Sequence, residues 1–527
     1  MTQIYNFFFN NKLSNSAKYI YAFFFGSIFV LCFPPYSFWP LIFPSIAYLF
    51  LASYLSTSAK ESFFIGWFFG LAFFTFGLYW IFNSFIIRSD FYIYLIPFCL
   101  FILSSFLGLF IALISFLNFK FKKKILTSVI YFSIFWTLSE LLRSYLFTGL
   151  PWNLIGHIWV NFTNILQICS ILGVYGLTFL TVLFVLSVCI FFLKKKFLKK
   201  NEIIFFTSIF IFFGVVTIFG EIRLNNATIN IYDSTIYRVV QPNISQKDKL
   251  NTQKIEKNFN KLVDLSFVNK MTSFNASEKL VILWPETAIT NLNYLSSLPI
   301  FNKLSSKLKK GEYLISGAFK EEEKFKNTLY YNSIVVIDNN LSQEFIYDKY
   351  HLVPFGEYIP FEKIFNKFGF NIINLQKNDS PPKPIIKYKD FPTFKTLICY
   401  EIIFPKYSKN SDFLFNFTND AWFGNTPGPY QHFVHSIFRA IEQGAQVIRI
   451  ANTGISASID PFGRIMKKID LNVEGQFDTN LVTGNSFVNP NIPLTTLYSK
   501  FGNKLILFIL IGLFLIIFNK QKVKKVI

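Results

Sequence analysis

FKTLICY (residues 394–400) is a short apolar and β-branched run that predicts a strand, and a cysteine stands at its end. Similar runs are IYRVVQ (236–241), LVILW (280–284), YLISGAF (313–319), NSIVVID (332–338), DFLFNFT (412–418) and QVIRIA (446–451). Helical patterns such as HFVHSIFRAIEQGA (432–445) lie between several of them. This alternation predicts an α/β domain of layered sheets and helices within residues 221–500, a length that can bury its own core.

The chain on both sides of this domain is much more apolar. Of the 527 residues, 52% are hydrophobic and only 15% are charged. This composition is too apolar for an ordinary soluble protein. A membrane-spanning helix needs roughly 20 apolar residues. We predict seven spans in a membrane domain (1–220), an eighth in 501–520 and a basic cytoplasmic tail (521–527), with the spans near 17–33, 41–57, 62–85, 91–118, 125–147, 165–193, 202–220 and 505–518.

Lysines divide the predicted connections into two sets. One set contains the runs KFKKK (120–124), KKKFLKK (194–200) and KQKVKK (520–525), whereas the other set holds a single cation, Arg88. Because positive residues stay in the cytoplasm, both termini are predicted there and residues 221–500 on the opposite side. The same clusters account for most of the net charge of +21, so we expect lipid headgroups and no nucleic acid as their partners.

One cysteine, Cys399, lies in the predicted external domain, and the other four lie in or beside apolar spans. A domain with a single cysteine forms no internal disulfide. A buried thiol that packs like a small hydrophobe is one interpretation. A catalytic thiol is the other, because an unpaired thiol in an oxidising space is exposed to oxidation.

Other reactive side chains also stand where predicted strands end. LWPETAI offers Glu286, YDKYHLVPFGEYIP offers Lys349 and Glu357, and LICYE offers Cys399 and Glu401. A carboxylate can take the proton of a thiol, and an ammonium can stabilise the thiolate and the oxyanion that follows. Isolated Lys and Glu residues are usually solvated, however, so spacing alone leaves a surface role open for each of them.

The strings WPET, KYHLVPFGEYIP, ICYEIIFP and NDAWFG…QHF, in this order, resemble the nitrilase-like superfamily. Together with PPYSFWP (34–40) and SELLRSYLFTGLPWNLIGH (139–157), almost the whole chain resembles the apolipoprotein N-acyltransferase family. The resemblance implies a polytopic α-helical membrane domain of eight helices that carries a nitrilase-like αββα sandwich. It also implies a monomer in the bacterial inner membrane, with the catalytic domain on the periplasmic side.

The resemblance implies that Cys399 is the nucleophile, Glu286 the general base and Lys349 the group that stabilises tetrahedral intermediates. An acyl chain would pass from a membrane phospholipid to Cys399 as a thioester. It would then pass to the N-terminal amine of the diacylglyceryl-cysteine of an apolipoprotein, with ping-pong kinetics. No cofactor and no metal are expected.

Four further residues are given supporting roles by the same resemblance. Glu357 would orient or charge-balance Lys349, and the Tyr400 N–H group is a candidate oxyanion donor. Tyr400 and Glu401 would shape the pocket, and Trp422 would form part of its wall. One departure is Leu250, which stands where the family often carries a tryptophan.

Several alternatives stay open on the sequence. A membrane-anchored amidase would use the same three residues with water as the acceptor, and a transporter with an external binding domain would tolerate loss of Cys399. The segment FEKIFNKFGFNIINL (361–375) is either an amphipathic lid that touches lipid or an ordinary packed helix. Glu140 and Arg143 form a structural ion pair, a headgroup contact, or both. The pair His432 and His435 lacks a third ligand string for zinc.

Overall fold

The computed structural model describes residues 14–88, 90–194, 198–268, 279–293, 301–324, 327–360, 375–383, 391–409, 411–485 and 494–526. The chain forms two compact units. The membrane unit comprises Met1–Asn226 and Thr496–Ile527, and the sheet unit comprises Ala227–Thr495. Most of the predicted lid, residues 361–374, lies outside the described residues.

The helices, labelled in chain order, are α1 (Asn15–Phe29), α2 (Ile42–Leu55), α3 (Ala59–Leu78), α4 (Asn83–Arg88), α5 (Ile96–Lys120), α6 (Ile125–Arg143), α7 (Thr163–Leu166), α8 (Cys169–Lys194), α9 (Lys200–Asn225), α10 (Gln246–Lys249), α11 (Ile255–Phe267), α12 (Phe301–Lys307), α13 (Pro427–Gln443), α14 (Leu497–Phe501) and α15 (Lys504–Val526). The strands are β1 (Ile229–Ile231), β2 (Ile236–Gln241), β3 (Leu280–Ile289), β4 (Tyr313–Lys324), β5 (Asn327–Ile337), β6 (Gln343–Asp348), β7 (Phe394–Ile398), β8 (Phe413–Thr418), β9 (Gln446–Ala451), β10 (Ser456–Ile459), β11 (Ile465–Ile469), β12 (Gly475–Thr479) and β13 (Val482–Gly484).

Six helical segments among the described residues are long and apolar enough to cross a membrane: Asn15–Cys32, Ala59–Ile87, Ile93–Lys120, Ile125–Arg143, Cys169–Leu193 and Lys200–Asn225. Two shorter apolar segments, Trp39–Leu55 and Lys504–Asn519, occupy the positions of the second and eighth predicted spans. Helix α6, at the position of the fifth predicted span, ends at Arg143, four residues before the predicted end at 147, because the following segment turns through Phe147 and Gly149 at positive φ. The count of eight spans stays a prediction.

The charged pair in α6 is held by hydrogen bonds inside the membrane unit. The Glu140 carboxylate is buried and accepts hydrogen bonds from the Ile155 N–H group at 2.9 Å and the Thr178 hydroxyl at 2.8 Å. The Arg143 guanidinium is also buried and donates to the Trp152 carbonyl at 2.9 Å. Charges within a membrane are costly unless they are paired, and these contacts tie α6 to the 149–157 segment and to α8. They favour the structural interpretation of the pair.

Two sheets face each other in the sheet unit. One has six strands in the order β12-β2-β3-β4-β5-β6, and the other has five in the order β11-β10-β9-β8-β7. Strands β2, β3 and β4 are parallel, as are β7, β8 and β9, so several strands of each sheet end at the same edge.

Side chains alternate between two apolar layers along each strand, as the period of two requires. In β3, Val281 and Leu283 enter the core between the sheets, whereas Ile282 and Trp284 face α11 and α12. Helix α13 packs against β9 of the five-stranded sheet. The layers are therefore helix, sheet, sheet and helix, which confirms the predicted αββα sandwich.

The sequence placed Glu286 just after a strand, and this placement is wrong. Strand β3 continues to Ile289, and its pairing with β4 resumes at Ile289 and Ala318 after an irregularity beyond Trp284. Glu286 lies within that irregularity. Gly317 of β4 makes room for it, since a Cβ atom on Gly317 would lie 2.5 Å from the Glu286 Cα atom.

We expect Gly317→Ala to lower the free energy of unfolding of the sheet unit by about 1–3 kcal/mol, since the added methyl group meets backbone atoms that cannot rotate away. Thermal unfolding in detergent would measure the loss. Gly214→Ala is the control, because a Cβ atom there meets no atom within 4 Å. Equal melting temperatures for the two variants would contradict the close approach.

Candidate active site

Cys399 stands at the turn that follows β7. Its φ of 47° lies in the left-handed region, which is unusual for a residue other than glycine. The Asn416 side-chain amide donates to the Cys399 carbonyl at 3.4 Å and to the Leu397 carbonyl at 3.2 Å. Backbone in this region costs free energy and persists where its surroundings hold it. The strand end and the amide of β8 therefore fix the direction of the thiol.

Glu401 connects this turn to the segment that carries Lys349. The fully buried Glu401 carboxylate accepts hydrogen bonds from the Ile398 N–H group at 2.7 Å and the Tyr350 N–H group at 2.9 Å. It also accepts from the Tyr347 hydroxyl at 3.0 Å. Because these donors come from both sides of the site, Glu401 fixes the two segments relative to each other.

Lys349 is 1% exposed and lies between two carboxylates. Its Nζ atom is 2.7 Å from Glu357 Oε1 and 3.8 Å from Glu286 Oε1. Burial alone lowers the pKa of Lys349, but the two carboxylates outweigh burial and raise it above the usual value for lysine. The side chain is therefore an ammonium, and it places a fixed positive charge in a site that water hardly enters.

Glu286 is buried on the other side of this ammonium. Its Oε1 atom accepts a hydrogen bond from the Asn332 amide at 2.7 Å, and its backbone carbonyl accepts one from Lys249 Nζ at 2.7 Å. Burial raises the pKa of Glu286; the Lys349 charge opposes that shift, and the Glu357 charge adds to it. A carboxylate whose pKa is raised is a stronger base, as general base catalysis near neutral pH requires.

The charges of Glu286 and Lys349 both shift the pKa of the Cys399 thiol. Burial raises its pKa above the usual value, the Glu286 carboxylate raises it further, and the Lys349 ammonium lowers it. Burial and Glu286 dominate, so the resting sulfur is a thiol. Such a nucleophile is activated when Glu286 removes its proton during attack, and the ammonium then stabilises the negative charge that develops.

A second buried ion pair lies behind the thiol. Arg449 Nη2 is 2.7 Å from Asp420 Oδ2, and His432 Nδ1 is 2.7 Å from Asp420 Oδ1. Burial opposes ionisation of Asp420, but Arg449 and His432 lower its pKa to about 2. His432 Nε2 lies 3.2 Å from the Cys399 carbonyl oxygen, so this cluster also supports the turn.

Cys399, Asp420 and His432 offer three possible metal-ligand atoms within 4.8 Å of one another. The Arg449 guanidinium already supplies positive charge to the carboxylate of that group, which leaves little reason for a cation there. His435 does not belong to this group among the described residues. The absence of a metal stays a prediction.

The other predicted site residues lie nearby. Tyr400 is half-buried, with its ring centroid 5.2 Å from that of Phe404, and Trp422 is half-buried in the short 3-10 helix Asp420–Phe423 after β8. Leu250 follows α10 and its side chain is 61% exposed. Their roles in the site stay predictions.

Sequence reasoning missed three residues that contact the site: Asn332, Thr418 and Lys249. Burial lowers the pKa of Lys249 to about 8, while the charges of Glu286 and Cys399 oppose that shift. In QPNISQKDKLN, Lys249 looks like one of two surface lysines, and nothing in the sequence reveals that its amine reaches β3. Asn332 and Thr418 sit inside apolar strand patterns, where a polar residue was the only available signal.

The chain resembles known proteins along most of its length. Residues 25–187 match the family described as apolipoprotein N-acyltransferase N-terminal domain, and residues 238–483 match the carbon-nitrogen hydrolase family. It is 34% identical over 505 residues to an apolipoprotein N-acyltransferase of Rickettsia prowazekii, covering 93% of this chain and 96% of that protein. It is 31% identical over 496 residues to the one of Rhodopseudomonas palustris, covering 90% of each chain.

Solved structures that are similar to this chain include nitrilase-superfamily proteins. An amidase mutant of Nesterenkonia has a TM-score of 0.33 at 14% identity and covers 47% of this chain and 92% of its own. A nitrilase-superfamily protein of Saccharomyces cerevisiae has a TM-score of 0.34 at 16% identity and covers 48% and 93%.

We expect Lys349→Met to raise the pKa of the Cys399 thiol further, because the charge of the Lys349 ammonium lowers that pKa and the substitution removes it. The rate at which iodoacetamide alkylates Cys399 can be measured by mass spectrometry from pH 6 to 10. This rate should be lower in the variant at each pH below the pKa of the thiol. The control is Lys320→Met, which removes an amine that pairs with Asp348 at 2.7 Å. A profile for Lys349→Met that overlays the unmodified protein would show that the ammonium does not act on the sulfur.

Proposed function

The chain belongs to the apolipoprotein N-acyltransferase family, and we propose that it moves an acyl chain from a membrane phospholipid, through a thioester on Cys399, to the N-terminal amine of a diacylglyceryl-cysteine lipoprotein. The observation that carries this proposal is the match to relatives with that name over 93% of the chain. The match includes the apolar helices as well as the sandwich, and an enzyme for small soluble amides would have no use for the helices.

In the first half-reaction, Glu286 takes the proton of Cys399 while the sulfur attacks the carbonyl carbon of the phospholipid ester. A carbon–sulfur bond forms, and negative charge gathers on the carbonyl oxygen near the Lys349 ammonium. The ester carbon–oxygen bond then breaks, and Glu286 returns the proton to the departing oxygen. The products are a lysophospholipid and a thioester on Cys399.

In the second half-reaction, the lipoprotein amine attacks the thioester carbon. Glu286 takes a proton from the attacking nitrogen, the carbon–sulfur bond breaks, and the proton passes to the sulfur. The product is an amide, and Cys399 returns to its thiol form. Since the first product leaves before the second substrate reacts, the kinetics are ping-pong, and a thioester is reactive enough towards an amine that no nucleotide is required.

The presence of membrane helices is an argument for lipid substrates in both half-reactions. Transfer of a hydrocarbon chain into water costs about 0.8 kcal/mol for each CH₂ group, so an enzyme in the bilayer avoids a large penalty. The distribution of lysines supports cytoplasmic termini and a periplasmic sheet unit in the inner membrane. We propose that the enzyme acts as a monomer.

The match of residues 238–483 to the carbon-nitrogen hydrolase family supports one alternative, a membrane-anchored amidase. In that enzyme water would attack the acyl-cysteine. The same three residues, Glu286, Lys349 and Cys399, would serve it, so the acceptor of the acyl group decides between the two functions. Release of ammonia or free fatty acid as the main product would favour the amidase.

We expect the purified protein, incubated with phosphatidylethanolamine, to carry one acyl chain on Cys399, detected by mass spectrometry and removed by hydroxylamine. Glu286→Gln should reduce the rate of acylation by at least about 10²-fold, because the general base is lost. Glu322→Gln on the exposed part of β4 is the control and should leave the rate unchanged. An unmodified Cys399 in the active protein would overturn the mechanism.

We expect a membrane-impermeant maleimide to label Asn340→Cys in spheroplasts and Lys123→Cys only after the membrane is opened. Both positions are exposed, Asn340 between β5 and β6 and Lys123 between α5 and α6. The unmodified protein serves as the control for labelling of the five native cysteines. The reverse pattern of labelling would place the sheet unit in the cytoplasm and contradict the proposed location.

A further inference from the structure

The last residue of β8, Thr418, contacts the sulfur directly. Strand β8 runs parallel to β7 with Phe417 opposite Ile398, which brings the end of β8 beside the Cys399 turn. Thr418 is fully buried, and its Oγ1 atom lies 3.3 Å from Cys399 Sγ. The same Oγ1 atom lies 3.3 Å from Asp420 Oδ1. One hydroxyl thus stands between the sulfur and a buried carboxylate.

A threonine hydroxyl has one proton to donate and two lone pairs to accept with. The Asp420 carboxylate already receives contacts from Arg449 and His432, so it does not depend on Thr418 for its stability. The hydroxyl can therefore turn from one acceptor to the other. A thiol can donate its own proton to Thr418 Oγ1, whereas a thiolate can only accept.

We propose that Thr418 is a further catalytic residue, whose hydroxyl donates a hydrogen bond to the Cys399 sulfur while that sulfur carries negative charge. This proposal rests on the proposed function of Cys399. The hydroxyl turns to the sulfur as Glu286 removes the thiol proton, and it turns back to Asp420 when the acyl group occupies the sulfur. When the thioester breaks and the sulfur again carries negative charge, the hydroxyl turns to the sulfur once more. The hydroxyl keeps its proton throughout, so no bond other than hydrogen bonds changes at Thr418.

The surroundings of the sulfur explain why such a donor is useful. The charged or titratable groups around it are Glu286 from β3, Lys349 after β6, Asp420 after β8, His432 from α13 and Lys249 from α10. The ammonium of Lys349 is shared with Glu286 and Glu357. A hydrogen bond to a charged acceptor is stronger than one between neutral groups, so one hydroxyl can supply part of what the shared ammonium does not.

The described contacts of Thr418 are divided between the site and the strand. Its hydroxyl reaches two groups of the site, the Cys399 sulfur and the Asp420 carboxylate, and the strand itself is held by backbone pairing of β8 with β7 and β9. Valine has nearly the shape of threonine but no hydroxyl. Thr418→Val therefore removes the hydrogen bond while it keeps the volume that fills the strand end.

The experiment compares Thr418→Val with Thr418→Ser and with Thr396→Val, which changes a buried threonine of β7 in the same way. Alkylation of Cys399 by iodoacetamide is followed by mass spectrometry as a function of pH. We expect the pKa of the thiol in Thr418→Val to rise by about one unit, which slows alkylation about tenfold at each pH below that pKa. The serine variant and the β7 variant should follow the unmodified protein.

A profile for folded Thr418→Val that overlays the unmodified protein would overturn the proposal. If the valine variant does not fold, as judged by thermal unfolding, the comparison of Thr418→Ala with Thr418→Ser takes its place, because the two differ mainly by the hydroxyl. Alkylation needs no lipid. If the unmodified protein forms no thioester, the proposed function is refuted, and the alkylation profiles of the Thr418 variants can still be compared. Normal thioester formation together with an unshifted profile would refute the role of Thr418 alone.

Discussion

The arrangement of the site depends on one interaction, the buried ammonium of Lys349 between the carboxylates of Glu286 and Glu357. Two carboxylates brought together in a dry site would repel each other, and one would take up a proton. The ammonium, 2.7 Å from one and 3.8 Å from the other, offsets that repulsion. The two carboxylates in turn raise the pKa of Lys349 and keep it charged. A base and a permanent positive charge can thus exist side by side.

The fold fixes the positions that this balance requires. Lys349 follows β6 in one sheet and Cys399 follows β7 in the other, so the two reactive groups belong to opposite halves of the sandwich. Glu401 accepts hydrogen bonds from the backbone of both segments, at Ile398 on one side and Tyr350 on the other. A small displacement of one sheet against the other would break these bonds. The sandwich therefore provides the rigidity that a site of this kind needs.

The fold class could be predicted from the sequence, and so could the positions of Glu357 and Glu401 beside the predicted reacting groups, whereas Asn332, Thr418 and Lys249 could not. Short β-branched runs mark the strands, and the strings around Glu286, Lys349 and Cys399 identify the reacting groups by resemblance. Asn332 and Thr418 act through neighbours far away in the chain, and a strand pattern does not say which side chains meet across strands. Arg449 did leave a signal, because an arginine inside the apolar run QVIRIA needs a buried partner, here Asp420. The course of β3 through Glu286 depended on pairing with β4, which no local pattern records.

The buried charges of the sheet unit argue that this region was shaped by chemistry more than by stability. Buried ion pairs contribute little net stability, since the cost of removing each charge from water offsets their attraction. Lys349, Glu286, Asp420 and Arg449 are all buried, although an apolar core of the same volume would fold at least as well. What the charges supply is a fixed field around one sulfur. Within that field, the Lys349 ammonium stabilises the negative charge that appears when a proton leaves the thiol, whereas the Glu286 and Asp420 carboxylates hold the proton on the resting sulfur.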